Sequence, residues 1–231
     1  MNIEQIRFNM IEQQIRTWEV LDAAVLHGLN VVKREDFVPD AHQALAFVDM
    51  EIPLVVGVGG GERAVAQGKC MLAPKVEARL LQDLKLQKNE RVLEIGTGSG
   101  YMAALLAHRA MQVYAHVVTL EIDADLARLA RANLQRAGIG NVEVRHADGA
   151  KDKIAGGPFD VILLSGSVAQ VPPALLALLK PGGRLAAIVG DEPMMRATFV
   201  THSASGNTTV QPWDTLTARL LHFPQASRFS F

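Results

Sequence analysis

Between Val92 and Tyr101 the chain reads Val-Leu-Glu-Ile-Gly-Thr-Gly-Ser-Gly-Tyr. Gly96, Gly98 and Gly100 let the backbone turn sharply and approach a ligand with no Cβ in the way. A helix expected from Tyr101 to Arg109 would offer free N–H groups and the positive end of its dipole beside Thr97 and Ser99. That combination suits a carboxylate or a phosphate. Glu121, next to Ile122, follows the glycines at roughly 20–30 residues, the separation expected of an acid that binds both hydroxyls of a ribose. Its competing role is to cap the next helix together with Asp123. Asp148, followed by Gly149, can accept from an exocyclic adenine amine, or it can simply close a turn. Ser165 and Ser167 are small and polar. Each group ends an apolar run, so together they describe a nucleoside site far more specifically than one glycine loop does.

Strands and helices must alternate to bring these residues to one place. Strands are expected at Arg91–Ile95, Val113–Glu121, Val142–His146, Phe159–Leu164 and Arg184–Val189, with Tyr114–His116 assignable to the preceding loop. Helices are expected at Tyr101–Arg109, Ala124–Ala137 and Pro173–Leu179, the last ended by Lys180-Pro181-Gly182-Gly183. Met195–Ser203 and Thr208–Phe223 read as late antiparallel strands joined at Gly206-Asn207. The fold class is therefore α/β, a Rossmann-like, doubly wound, mostly parallel sheet. Ligands of such sheets bind beyond the carboxyl ends of the strands. Ahead of the sheet, Ile3–Arg16, Asp22–Val32 and Ala41–Phe47 form a helical layer, either a cap on the sheet or a lid on the ligand. Glu51–Leu72 is irregular. Val55–Val58 is β-like, and Gly57 with Gly59, Gly60 and Gly61 argues against a helix, so an exposed hairpin or mobile loop is expected before a helix from Pro74 to about Leu84. Residues 1–231 are thus expected to make one domain, with a helical cap over 1–50, a glycine-rich loop over 51–74 and an α/β core over 75–231.

The 231 residues are 49% hydrophobic and 20% charged, with a net charge of -1. This balance buries a real core and gives no general electrostatic case for nucleic acid or an anionic membrane. The single cysteine, Cys70, allows no internal disulfide and fits a reducing cytoplasm. The N-terminus lacks a signal pattern and no apolar run reaches membrane-span length. His108, His116 and His146 read as surface or helix-end residues, and no metal site is expected.

The pattern E-x-G-x-G-x-G at Glu94–Gly100 resembles motif I of S-adenosylmethionine-dependent methyltransferases. That resemblance implies a turn holding the methionine part, with Glu94 near its ammonium group and Ser165 beside the transferring methyl. More particular segments resemble the protein-L-isoaspartate O-methyltransferases. Met10-Ile11-Glu12-Gln13-Gln14-Ile15-Arg16 is similar to that family's M-x-x-Q-x-I helix. Arg34–Pro39 is similar to R-E-x-F-V-P, and Leu45–Asp49 to L-A-Y-x-D. Val92–Tyr101 matches V-L-E-I-G-T-G-S-G-Y. Asn141–Gly149 resembles N-V-x-V-x-x-G-D-G, Pro158–Asp160 resembles P-F-D, and Val171–Leu185 resembles V-P-x-x-L-x-x-x-L-K-P-G-G-R-L. The match covers about residues 10–190. It implies a cytoplasmic repair enzyme, monomeric or homodimeric. The enzyme would methylate the carboxylate of an isoaspartyl residue in a protein or peptide, or of a small acid.

One segment departs from the family. Where it carries G-Q-T-I-S-x-P, this chain has Gly68-Lys69-Cys70-Met71-Leu72-Ala73-Pro74, so two hydroxyl residues become Cys70 and Leu72. Lys69 could pair with an acceptor carboxylate or be a solvated loop lysine, and Leu72 would make the acceptor pocket more apolar. A diverged cofactor-binding protein with a regulatory role is the alternative. A nicotinamide oxidoreductase is disfavoured, because Tyr101 stands where a dinucleotide fingerprint needs its third glycine.

Overall fold

The computed structural model describes residues 2–56, 60–110 and 116–225. Helix α1 (Ile3–Met10) starts where Asn2 accepts from the Glu4 N–H, and it continues through a π turn (Ile11–Ile15) and a 3-10 turn (Arg16–Trp18) rather than as one helix to Arg16. Helix α2 (Ala23–Val31) is capped by Asp22, whose side chain accepts from the N–H groups of Ala24 and Val25. Two 3-10 turns (Arg34–Phe37 and Asp40–Leu45) lead to strand β1 (Ile52–Pro53).

Helix α3 (Gly60–Ala66) corrects the expectation of a non-helical segment. Gly60 and Gly61 sit in its first turn, where the lack of a side chain costs least, and the better helix formers Glu62 to Ala66 carry it. Val55 and Val56 lie outside any strand. Of the β-like stretch, Gly57 and Val58 fall outside the described residues, as do Gly59 and Val113–Ala115. Strand β2 (Cys70–Met71) pairs with β1, Ile52 against Met71 and Pro53 against Cys70. A hairpin does close this loop, with a helix inside it.

Helix α4 (Pro74–Asp83) has proline in its first turn. The alternation then follows as β3 (Val92–Ile95), α5 (Tyr101–Arg109), β4 (Val117–Glu121), α6 (Ala124–Arg136), β5 (Val142–His146), β6 (Phe159–Val168), α7 (Pro173–Leu176), β7 (Leu179–Asp191), β8 (Met194–Ser203) and β9 (Gly206–Thr215). The main sheet runs β5-β4-β3-β6-β7-β8-β9, parallel through β7 and antiparallel beyond it. The order reverses between β3 and β6, so the switch point lies above Ile95 and Leu164.

Three late boundaries differ from expectation. Strand β6 continues four residues past Leu164, with a register shift between Leu163 and Ser167. Lys180–Gly183 lies inside β7 instead of ending a helix, and α7 stops at Leu176. Strand β9 ends at Thr215, and residues 216–223 turn across the rim of the sheet.

Pleating divides the core. Val92, Val117, Val161 and Leu163 face the cluster shared with Met10, Leu29, Leu80 and Leu105. Leu93, Ile95, Val118, Leu120, Ile162 and Leu164 face the other, with Phe159, Leu175, Leu185 and Phe223. This period of two decides which residue at each strand end can reach a ligand.

Candidate functional site

The carboxyl ends of β3, β4, β5 and β6 open into one cleft of about 240 Å³. Its walls include Ile95, Gly96, Gly98, Leu120, Glu121, Ile122, Ala147, Asp148, Gly149 and Ser165. Sequence spacing therefore brings most of the expected residues together: Gly96, Gly98, Glu121, Ile122, Asp148, Gly149 and Ser165 share this surface.

Two glycines are required by close approach. Gly96 has φ of 97°, and a Cβ there would lie 2.9 Å from Leu220 and 3.2 Å from the Ser165 carbonyl. At Gly149 a Cβ would fall 2.6 Å from Ile95 Cγ2, so any side chain would press on the end of β3.

Glu121 is buried at the cleft wall. Its Oε2 accepts from the Gly98 N–H at 2.8 Å and its Oε1 from the Asp123 N–H at 3.0 Å. Burial raises its pKa, while the N–H groups of Asp123 and Gly98 oppose that shift. Each oxygen keeps a lone pair for a further donor. Helix capping falls to Asp123 alone, which accepts from the N–H groups of Asp125 and Leu126.

Glu94 does not line the cleft. It shares the pleat of Val92, so its side chain leaves the sheet on the face opposite Ile95. Fully buried, it accepts from Thr119 Oγ1 and from Ser165 Oγ, each at 2.7 Å. Thr97 Oγ1 lies 2.6 Å from Thr119 Oγ1. The acid thus ties the glycine turn, β4 and the end of β6 into one buried knot. Burial pushes its pKa up to about 8 against the two hydroxyl donors. Ser99 is buried; its carbonyl accepts from Asn133 Nδ2 at 2.9 Å, which locks the turn to α6.

The departing segment is also placed. Lys69 lines the cleft, but its Nζ lies 2.6 Å from Asp123 Oδ2. The hydrogen bond from Lys69 holds Asp123 below the ordinary carboxylate range, so this lysine already has an anion. Cys70 lines the cleft, and burial with neighbouring Glu51 pushes its thiol up to about 12, which leaves no thiolate for nucleophilic chemistry. Leu72 is buried. Its carbonyl accepts from Arg34 Nη2 at 2.7 Å, and Arg34 also bonds Glu77. Leu72 lines a separate cavity of about 20 Å³ with Cys70, Tyr101 and Ser165, room for roughly one water.

Residues that sequence reasoning missed form the other side of the cleft: Gln67, Gly68, Asp123, Leu126, Arg219, Leu220, Leu221 and Phe223. Residues 217–223 are a strap. Ser167 N–H donates to the Ala218 carbonyl at 2.8 Å, and Leu220 N–H donates to the Ser167 carbonyl at 2.9 Å. Ala218 N–H reaches Glu51 at 3.2 Å, and Arg219 Nη2 bonds Asp191 at 2.6 Å. His222 Nδ1 lies 2.6 Å from Asp148 Oδ2. A run such as Leu220-Leu221-His222-Phe223 carries the composition of a strand, and nothing local marks it as a wall.

Compared with known proteins, residues 5–216 match the family described as protein-L-isoaspartate(D-aspartate) O-methyltransferase. The chain belongs to that family. A protein-L-isoaspartate O-methyltransferase of Koribacter versatilis is 36% identical over 200 residues, covering 87% of this chain and 83% of the relative. Another of Rhodopseudomonas palustris is 38% identical over 181 residues, covering 78% and 76%. Among solved structures, a putative protein-L-isoaspartate O-methyltransferase of Plasmodium falciparum, in complex with S-adenosyl-L-homocysteine, superposes with a TM-score of 0.77 at 20% identity, covering 95% of this chain and 98% of that one. Membership makes this chain an S-adenosylmethionine-dependent methyltransferase of the protein-L-isoaspartate type. The family match ends at residue 216, so the strap lies beyond it.

Proposed function

We propose that this chain methylates the carboxylate of an isoaspartyl residue, or of another acid, with S-adenosylmethionine lying along the cleft from the Gly96 turn to Asp148. One observation carries the reading: Glu121, at the end of β4, and Asp148, just past the end of the neighbouring β5, open onto the same cleft as the glycine turn, an acid for a diol and an acid for an amine. The remaining walls fit. Leu120, Ile122, Leu126 and Phe223 give a purine apolar faces, and Gly96 and Gly98 of the turn ahead of α5 line the same cleft.

Bound there, the cofactor supplies a methyl group activated by a positive sulfur. It would give that methyl to the acceptor oxygen and leave as a neutral thioether keeping the bonding pair, while the residues of the cleft would hold its two ends. A carboxylate acceptor has a pKa near ~4, so it is ionised at neutral pH and needs no general base. The protein's task is positioning. Glu121 holds the ribose, Asp148 the adenine amine, with Ile122 and Gly149 beside it. Thr97 and Ser99 shape the turn through buried bonds, and Glu94 fixes Ser165 at the acceptor side. Cys70 and Leu72 leave that side less polar than two hydroxyls would, so an acceptor with an apolar neighbour to its carboxylate is favoured. Lys69 serves the cleft wall rather than the acceptor.

We read residues 1–50 as a cap, 51–74 as the variable loop of the acceptor side and 75–231 as the core of one domain. Among the described residues no helix is long and apolar enough to cross a membrane. The single Cys70 supports a reducing cytoplasm, and the reading admits a monomer or a homodimer.

Calorimetry with S-adenosylhomocysteine, followed by transfer of labelled methyl to an isoaspartyl peptide and to its aspartyl counterpart, tests the reading. Binding and a base-labile ester on the isoaspartyl peptide are expected. No binding, or no ester on any carboxylate offered, would sink it.

A further inference from the structure

Asp148 is engaged by a residue from far along the chain. Its Oδ1 accepts from the Ala150 N–H at 3.0 Å, and its Oδ2 lies 2.6 Å from His222 Nδ1. An ionised carboxylate only accepts, so the ring donates from Nδ1. Lys151 Nζ is farther away, at 3.8 Å. Burial alone would push Asp148 up, but His222, the Ala150 N–H and Lys151 together hold it below the ordinary carboxylate range. His222 is itself held in register. Leu220, two residues earlier, sits over Gly96 and bonds Ser167, and Phe223, the next residue, is buried among Ile95, Leu120 and Phe159. The strap therefore touches both ends of the cleft, the glycine turn through Leu220 and the far acid through His222.

We infer that His222 is a positioning residue for cofactor recognition: from the strap beyond β9 it orients the Asp148 carboxylate toward the exocyclic amine of adenine. The inference rests on the proposed role of Asp148 and adds a residue outside the segment matched to the family. Gripped on one oxygen by a backbone N–H and on the other by the imidazole, the carboxylate has its plane fixed, and the lone pair left on each oxygen points in a set direction. A carboxylate free to rotate would lose that preference.

The test compares S-adenosylhomocysteine with its inosyl counterpart, in which a carbonyl oxygen replaces the amine. Dissociation constants are measured by calorimetry for wild type, Asp148→Asn, His222→Ala and His222→Gln. Wild type should prefer the adenosyl ligand by about tenfold or more, since a site built around an N–H donor rejects an acceptor in its place. Asp148→Asn should erase that preference. His222→Ala should lower it by about threefold or more while leaving inosyl affinity within about twofold. His222→Gln should restore it, because its amide N–H can donate to the same oxygen. A wild-type preference in His222→Ala, or equal weakening of both ligands, overturns the inference and makes the histidine part of the wall only. A preference that survives Asp148→Asn removes the proposed role of Asp148 itself, and the inference with it.

Discussion

The cleft has a floor and a roof of different kinds. The floor, made of the ends of β3, β4, β5 and β6, is built from residues whose partners are one strand or one turn away. Gly98, in the turn after β3, meets Glu121 at the end of neighbouring β4, and Thr119 meets Glu94 in direct register. The roof, residues 67–70 and 217–223, is held by contacts such as Lys69 to Asp123, Ala218 to Glu51 and His222 to Asp148. The floor is rigid because the sheet over-determines it. The roof depends on a few half-exposed polar contacts and on two apolar anchors, Phe223, which is buried, and Leu220, which is partly buried. Floor changes should thus cost stability or abolish cofactor binding, whereas roof changes should cost a few-fold.

The largest effect is expected at Glu94. Its carboxyl titrates near 4.5 in the unfolded chain and at about 8 in the fold. The native state therefore holds a proton that the unfolded state has released. This contribution to stability is complete below pH 4.5 and is lost as pH rises to about 8. Denaturant midpoints should fall across that window by the equivalent of about 2–4 kcal/mol. Glu94→Gln should flatten the decline while matching wild type at low pH. An unchanged slope in the variant would place the titration elsewhere.

Glu121→Ala comes next. It removes the proposed diol acceptor and the partner of the Gly98 N–H, so affinity for S-adenosylhomocysteine should fall about 100-fold, near 2.7 kcal/mol. A loss under threefold in calorimetry would move ribose recognition away from β4.

At the acceptor side, next to the roof, Leu72→Ser should destabilise the fold by about 2–3 kcal/mol through lost apolar burial. It should lower the KM for an isoaspartyl peptide and leave cofactor affinity within about twofold. A cofactor affinity that fell with the melting temperature would merge acceptor side and floor into one unit. Lys69→Met should be the mildest. Its ion pair is half-exposed, so about 1 kcal/mol or less is at stake and cofactor release should quicken by no more than about fivefold, less at high salt. A larger, salt-independent effect in stopped-flow release would show that the roof is as over-determined as the floor.

The floor was legible because its signals are local. Glycine spacing and apolar periodicity predict helix α5 and strand β5 at their observed limits, and the four strand ends follow from the alternation. Even the direction of Glu94 was available, since residues 94 and 95 of one strand face opposite sides and Ile95 lies at the ligand. Gly60 and Gly61 misled because helix propensity is a weak prior in a first turn. Residues 216–223 misled because an apolar run says that a segment will be covered, not by what.

The sequence by itself determined the α/β class, the family, the glycine turn and the acids at the ends of β4 and β5, all of them properties of short windows repeated along the chain. Only the tertiary structure decided that Lys69 belongs to Asp123, that Glu94 meets Ser165 and that His222 grips Asp148. Those pairings join residues separated by tens of positions, and which ones meet depends on how the loops cross the completed sheet. No periodicity encodes that crossing; it follows from packing, after the strands have found their order.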